Sequence, residues 1–249
     1  MEDSFRQAFQ RLELLVGADG LARLREARVA VFGLGAVGSF AVEALARSGV
    51  GHLRLVDFDE VRPSNLNRQL LALTDTIGRR KAELAAERVL RINPEAHVDV
   101  RVAFFCREEA DDLLAPPLDW VVDAIDSVGP KVALISEAVR RGYRVVSAMG
   151  AASRTDPTRI RVGPLSETAV CPLARRVRKD LNKLGLDAGV VAVWSDEPPA
   201  PLPPPGEVLD REETLVRGRE RRTLPSMAPL PGIFGLVAAN VVIRGISGR

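Results

Sequence analysis

Short apolar runs alternate with helix-length amphipathic stretches through the first 150 residues. Arg28–Phe32 reads as a strand. Ala36–Gly49 carries Val37, Phe40, Ala41, Ala44 and Leu45 at the spacing of one helix face. Leu53–Asp57 is a second strand, Gly78–Ile92 a helix, and His97–Val102 an alternating strand. Trp120–Ala124 and Arg144–Ala148 are further strands, separated by a helix over Lys131–Arg141. Such alternation predicts an α/β fold: a Rossmann-type, mainly parallel sheet with helices on both faces. Residues 1–27 read as an N-terminal helical segment, 28–150 as the Rossmann-type domain, and 151–249 as a C-terminal extension packed on it.

Beyond Gly150 the pattern loosens. Strands over 158–162 and 189–194 flank a basic helix, Pro172–Leu184. Residues 198–206 hold six prolines, which excludes helix or sheet interior and predicts a stiff surface connection. Met227–Ile243 has no formal charge across 17 residues. A spanning helix needs roughly 20, and Pro229, Pro231 and Asn240 interrupt this one. The expectation is a core helix near Gly232–Ile243 and no membrane span.

Composition adds exclusions. An apolar share of 46% with 27% charged residues is that of an ordinary globular protein. Aromatics at 4% argue against a base-stacking platform. Cys106 and Cys171, aided only by His52 and His97, cannot supply four zinc ligands at the usual spacing, so no zinc site is expected. Neither do they form a disulfide framework, which fits a reducing cytoplasm. The polar opening, residues 1–13, gives no sign of a signal peptide.

Gly33-Leu34-Gly35-Ala36-Val37-Gly38 follows a predicted strand and opens a predicted helix. Glycines there permit a tight turn and close approach of phosphate to a helix N-terminus. A tight turn without a ligand would use the same residues. Asp57 ends the next strand, where an acid accepts from ribose hydroxyls. That much also suits an NAD enzyme. The run Asp57-Phe-Asp59-Glu-Val-Arg-Pro-Ser-Asn65-Leu-Asn67-Arg68-Gln69 then places polar groups at the same sheet edge, and Lys81 follows. Two cations with a helix N-terminus describe a triphosphate site better than a dinucleotide site; alone, they also describe an exposed loop with surface ion pairs. Asp126, in Asp123-Ala124-Ile125-Asp126-Ser127, can hold Mg²⁺ or cap a helix.

These motifs, in this order and spacing, resemble the ubiquitin-activating-enzyme-like superfamily of adenylating proteins, which includes MoeB, ThiF and HesA. The resemblance covers about residues 9–150 and continues more weakly beyond. It implies a MgATP site that makes an acyl-adenylate and releases pyrophosphate. It assigns Gly33, Gly35 and Gly38 to the phosphate turn, and Asp57 with Asp59 to the nucleotide. Asn65, Arg68 and Lys81 would contact the phosphates, and Asp126 would position Mg²⁺. It also implies that Arg11, in FQRLELLVG, reaches the ATP site of a second subunit, making the working unit a homodimer.

Two features choose among branches. MoeB-like activators carry two CxxC pairs, absent here. SNLNRQ, INPEAHV, VVDAIDSVGPKVALI and DPT look like the tRNA threonylcarbamoyladenosine dehydratase (TcdA/CsdL) branch. That branch activates the carboxylate of N6-threonylcarbamoyladenosine in tRNA and cyclises it with net loss of water. The alternative is adenylation of the C-terminal glycine of a ubiquitin-like or sulfur-carrier protein, and a sulfur-transfer partner stays open. Basic clusters at Arg175, Arg176, Arg178, Lys179 and Lys183, at residues 211–222, and at Arg154, Arg159 and Arg161 are the candidate tRNA contacts; they also fit a solvated face. Residues 223–229 lack the cysteine that the family often carries there. Cys171 reads as an incidental small residue or an exposed thiol, and Cys106 as buried.

Overall fold

A computed structural model describes residues 2–186, 189–201 and 224–249. Strand β1 (Arg28–Phe32) lies inside a seven-stranded sheet, and its Val29–Phe32 are fully buried. Covering on both faces explains why it reads as a continuous apolar run. The other strands are β2 (His52–Val56), β3 (His97–Arg101), β4 (Trp120–Asp123), β5 (Arg144–Ala148), β6 (Ile160–Pro164) and β7 (Val190–Ser195). Their order is β3-β2-β1-β4-β5-β7-β6, all parallel except β6, which runs antiparallel to β7. Phe32 lies beside both Val56 and Asp123, so three strands end at one level. The order reverses between β1 and β4, which opens a crevice at those ends.

Helices α3 (Gly38–Arg47), α4 (Lys81–Ile92) and α8 (Pro229–Ser247) pack on one face with α2 (Gln10–Glu26). Helices α5 (Ala110–Leu113), α6 (Val128–Arg140) and α7 (Pro172–Asn182) pack on the other. The N-terminal segment is α1 (Glu2–Ala8) followed by α2, with a kink at Gly17. Phe5, Phe9 and Leu21 form their own small cluster.

Most boundaries shift by one to three residues, and three of the differences have a plain cause. Helix α3 starts at Gly38, because Ala36 and Val37 belong to the turn. The strand expected over 158–162 begins at Ile160, since Pro157–Arg159 make a 3-10 turn capped by the Asp156 side chain. Helix α8 is longer than expected: Pro229 and Pro231 sit in its first turn, where a missing N–H costs nothing, so they open the helix. Among the described residues α8 is the one helix long and apolar enough to cross a membrane. Its Leu230, Phe234, Ala238, Ala239 and Val242 are buried on the core; full burial of a Phe stabilises by about 1.5–3 kcal/mol. A Cβ on Gly235 would fall 2.2 Å from the Val37 carbonyl oxygen, so only glycine lets α8 approach α3 this closely. The Arg23 guanidinium donates to Ile246 O at 2.9 Å and Ser247 O at 2.5 Å, placing a cation at the α8 C-terminus. Residues 198–201 are exposed, with no regular structure; the rest of the proline-rich segment, and residues 211–222, lie outside the described residues.

Candidate active site

The crevice at the strand ends holds a cavity of about 560 Å³. Gly33, Gly35, Asp57, Asp59, Asn65, Arg68, Lys81 and Asp126 all line it. Gly38 does not line it but shapes the turn. A Cβ there would sit 1.7 Å from the Gly33 carbonyl oxygen, and Gly33 itself has φ +84° and abuts Ala124 O. Glycine at both positions is therefore a steric requirement of the β1-to-α3 turn.

Asp57 is buried at the end of β2. Its Oδ2 accepts from Leu34 N–H at 2.6 Å, and its Oδ1 accepts from Asp59 N–H at 2.8 Å. Burial raises its pKa; the Lys81 charge and these two N–H groups pull the other way. Lys81 opens α4 with its Nζ 3.1 Å from Asp59 Oδ2. Asn65 closes a short 3-10 turn, Pro63–Asn65, by accepting from Arg62 N–H at 3.1 Å. Arg68 Nη1 donates to Ser64 O at 2.7 Å and to Asn67 Oδ1 at 2.9 Å.

Asp126 stands exposed beyond β4, just before α6. Among the described residues no three His, Cys, Asp or Glu side chains group as a metal cage. One carboxylate beside a triphosphate is nonetheless the usual donor set for Mg²⁺, which completes its shell with phosphate oxygens and water. The site thus fits a metal that arrives with its nucleotide.

Arg11 is exposed on α2 and does not line the cavity. Within one chain it is not brought to the other nine predicted residues. Cys171 is buried and caps α7, its Sγ accepting from Ala174 N–H at 3.5 Å, so of its two readings the exposed thiol fails. Cys106 is only half-buried.

Several lining groups were given no role by the sequence reading. Gln69 lines the cavity, and its Oε1 is buried with no hydrogen-bond partner among the described residues. Phe58 and Phe104, edge to face at 5.2 Å, wall the end nearest β2. A Phe-Phe pair just after β3, in a chain with eight phenylalanines, was the signal available. At the opposite end, the wall is Met149–Ala152 after β5, with Leu173, Leu224 and Ser226.

The basic candidates sort by partner. Arg159 and Arg161 lie 2.7 and 3.0 Å from Asp196. Arg176 and Lys183 share Asp180, and Arg178 donates to Thr168. Arg154 is buried against backbone carbonyls, so it cannot follow a phosphate backbone as expected. Exposed Arg175 and Lys179 on α7 carry no carboxylate partner among the described residues.

A doubly wound sheet with a glycine turn, two cations and three acids at the switch point defines a nucleotide-binding protein built for phosphate chemistry. The ThiF family pattern matches residues 9–249, and the chain belongs to that family. It is 40% identical over 239 residues to the tRNA threonylcarbamoyladenosine dehydratase of Bacillus subtilis (strain 168), covering 96% of this chain and 94% of that protein. Among solved structures it resembles E. coli tRNA N6-threonylcarbamoyladenosine dehydratase, TcdA, in complex with ATP. The TM-score is 0.86 at 35% identity, covering 99% of this chain and 96% of the other. The AMP complex of the same enzyme matches with TM-score 0.87 at 34% identity and the same coverage.

Proposed function

We propose that the protein uses MgATP to adenylate the carboxylate of N6-threonylcarbamoyladenosine in tRNA and then closes the ring. The observation that carries this is the cavity's composition. Arg68, Lys81 and the turn that leads into α3 would meet an anion there, with Asp126 lining the same cavity, and the cavity continues past β4 to the Met149–Ala152 wall, which would take a second reactant. The relatives named for this reaction match this chain along nearly its whole length.

The substrate carboxylate attacks the α-phosphorus, and pyrophosphate leaves with the broken bond's electrons. Two anions meet in this step. Arg68, Lys81 and the helix N-terminus offset their repulsion, with a trans Arg11 in a homodimer. Asp126 would hold Mg²⁺, which would supply further charge neutralisation. The nucleophile is already ionised at neutral pH, so no general base is required. The carbamoyl oxygen or nitrogen then attacks the activated acyl carbon, and AMP departs. Gln69 Oε1 offers an acceptor inside the cavity. Exposed Arg175 and Lys179 would hold tRNA phosphates. ATP and tRNA as reactants support a cytoplasmic setting.

The test is direct. Incubated with ATP, Mg²⁺ and tRNA bearing the modified adenosine, the protein should lower that nucleoside's mass by one water and release AMP. An unchanged nucleoside, with pyrophosphate exchange that instead depends on a Gly-Gly-ended carrier, overturns the reading.

A further inference from the structure

Three cations are buried beneath the strand ends, and one differs from the others. Lys131 is paired with Asp123 and Lys81 with Asp59. Arg154, 4% exposed, has no carboxylate within salt-bridge distance among the described residues. Its Nη1 donates to Gly150 O at 2.7 Å and Ala152 O at 3.2 Å, and its Nε donates to Glu197 O at 2.9 Å. Its Nη2 is buried without a hydrogen-bond partner among the described residues. The nearby Glu197 carboxylate is turned to the backbone N–H groups of Thr155 and Asp156 instead.

A buried guanidinium without a counter-charge is costly. Its fork crosses the Gly150–Ala152 backbone, which lines the cavity. The next residue, Ser153, is held at φ +61°, a strained value for a side chain other than glycine. Its N–H donates to Pro225 O and its carbonyl accepts from Ala200 N–H. The ribose acid, phosphate turn and Asp126 occupy the ends of β2, β1 and β4. The end of β5 is what remains for the other reactant.

We propose that Arg154 is a positioning residue for the acyl half of the reaction: it fixes the Gly150–Ala152 wall against which the substrate carboxylate lies and sets behind it a buried positive charge that no carboxylate pairs among the described residues. This rests on the function proposed above. An anionic substrate is drawn to that wall, while the nucleotide, with Asp57, Arg68 and Lys81 as its own holding groups, depends on it far less.

The experiment compares Arg154→Gln and Arg154→Lys with the natural protein, measuring ATP affinity by calorimetry and turnover of modified tRNA. Arg154→Gln should keep its ATP Kd within about twofold while its KM for tRNA rises about tenfold or more. Arg154→Lys keeps the charge without the fork and should recover part of the loss. Parallel loss of ATP affinity, or unchanged KM for tRNA, overturns the inference. If Arg154→Gln does not fold, Gly150→Ala serves, since its methyl would meet Cys171 Sγ at 3.3 Å and Arg154 Nη1 at 3.6 Å. It should show the same split, and failure to do so also overturns the inference. A natural protein inert toward modified tRNA would instead sink the functional reading itself.

Discussion

Lys131 Nζ lies 2.6 Å from Asp123 Oδ2, and neither side chain has any exposed surface. Ser147 Oγ donates to the same oxygen at 2.5 Å. Asp123 Oδ1 accepts from Ile125 N–H at 3.1 Å, so the pair also fixes the turn that leads to Asp126. Removing one partner leaves an uncompensated buried charge. Lys131→Met should therefore cost about 3–5 kcal/mol in chemical denaturation. Adding Asp123→Asn should recover part of that loss; strict additivity would show that the two side chains act independently.

Arg68 and Lys81 line one cavity but have different ties. Arg68 holds backbone and Asn67, whereas Lys81 is paired with Asp59. Charge-assisted hydrogen bonds contribute about 1.5–3 kcal/mol, so Arg68→Ala should weaken ATP binding by roughly ten- to a hundredfold. Lys81→Ala should do the same and also lower Tm, because it strands Asp59. Equal thermal stability of the two variants would contradict this.

Asp57 is held above the ordinary carboxylate range by burial. A raised folded-state value stabilises the free protein on the acid side, and that contribution is lost as pH rises through it. Nucleotide binding should have the opposite sign, because ribose hydroxyls held by Asp57 would donate to the ionised form. ATP affinity should fall as pH drops through the raised value, by at most about tenfold per pH unit. Asp57→Asn should bind more weakly and lose this slope. A slope retained in the variant would assign it to another group.

Arg11 stands outside its own chain's cavity. If it serves a second subunit, Arg11→Ala and Arg68→Ala should each be inactive alone and should complement when mixed. Random pairing would restore about a quarter of natural activity, since half the dimers would carry one intact site. No recovery after subunit exchange would rule out the trans role.

The sequence made some elements plain and hid others for physical reasons. Arg28–Phe32 and Arg144–Ala148 matched their observed bounds because inner parallel strands are continuous apolar runs between sharp turns. That Asp57, Arg68, Lys81 and Asp126 share one cavity was legible because each follows the end of β2 or β4 at the same side of the sheet. Lys131 was not: a charged residue in a helical pattern reads as surface, and its partner lies across the sheet edge. Arg154 was misread as a surface cation because its partners are backbone carbonyls, which leave no mark in sequence. The proline placement in α8 was read as interruption because a helix start and a helix break share the same residue.

The contact between Gly235 and the Val37 carbonyl has a consequence in time. Val37 leaves the ribosome early, whereas Gly235 follows only after most of the chain is made. Until then the phosphate turn lacks the helix that braces it, and Leu224, Ser226 and Pro231 have not closed their part of the cavity. A nascent chain stalled before α8 should retain no ATP, and the released chain should. The nucleotide is then a ligand of the finished protein alone, unable to assist its synthesis-coupled folding.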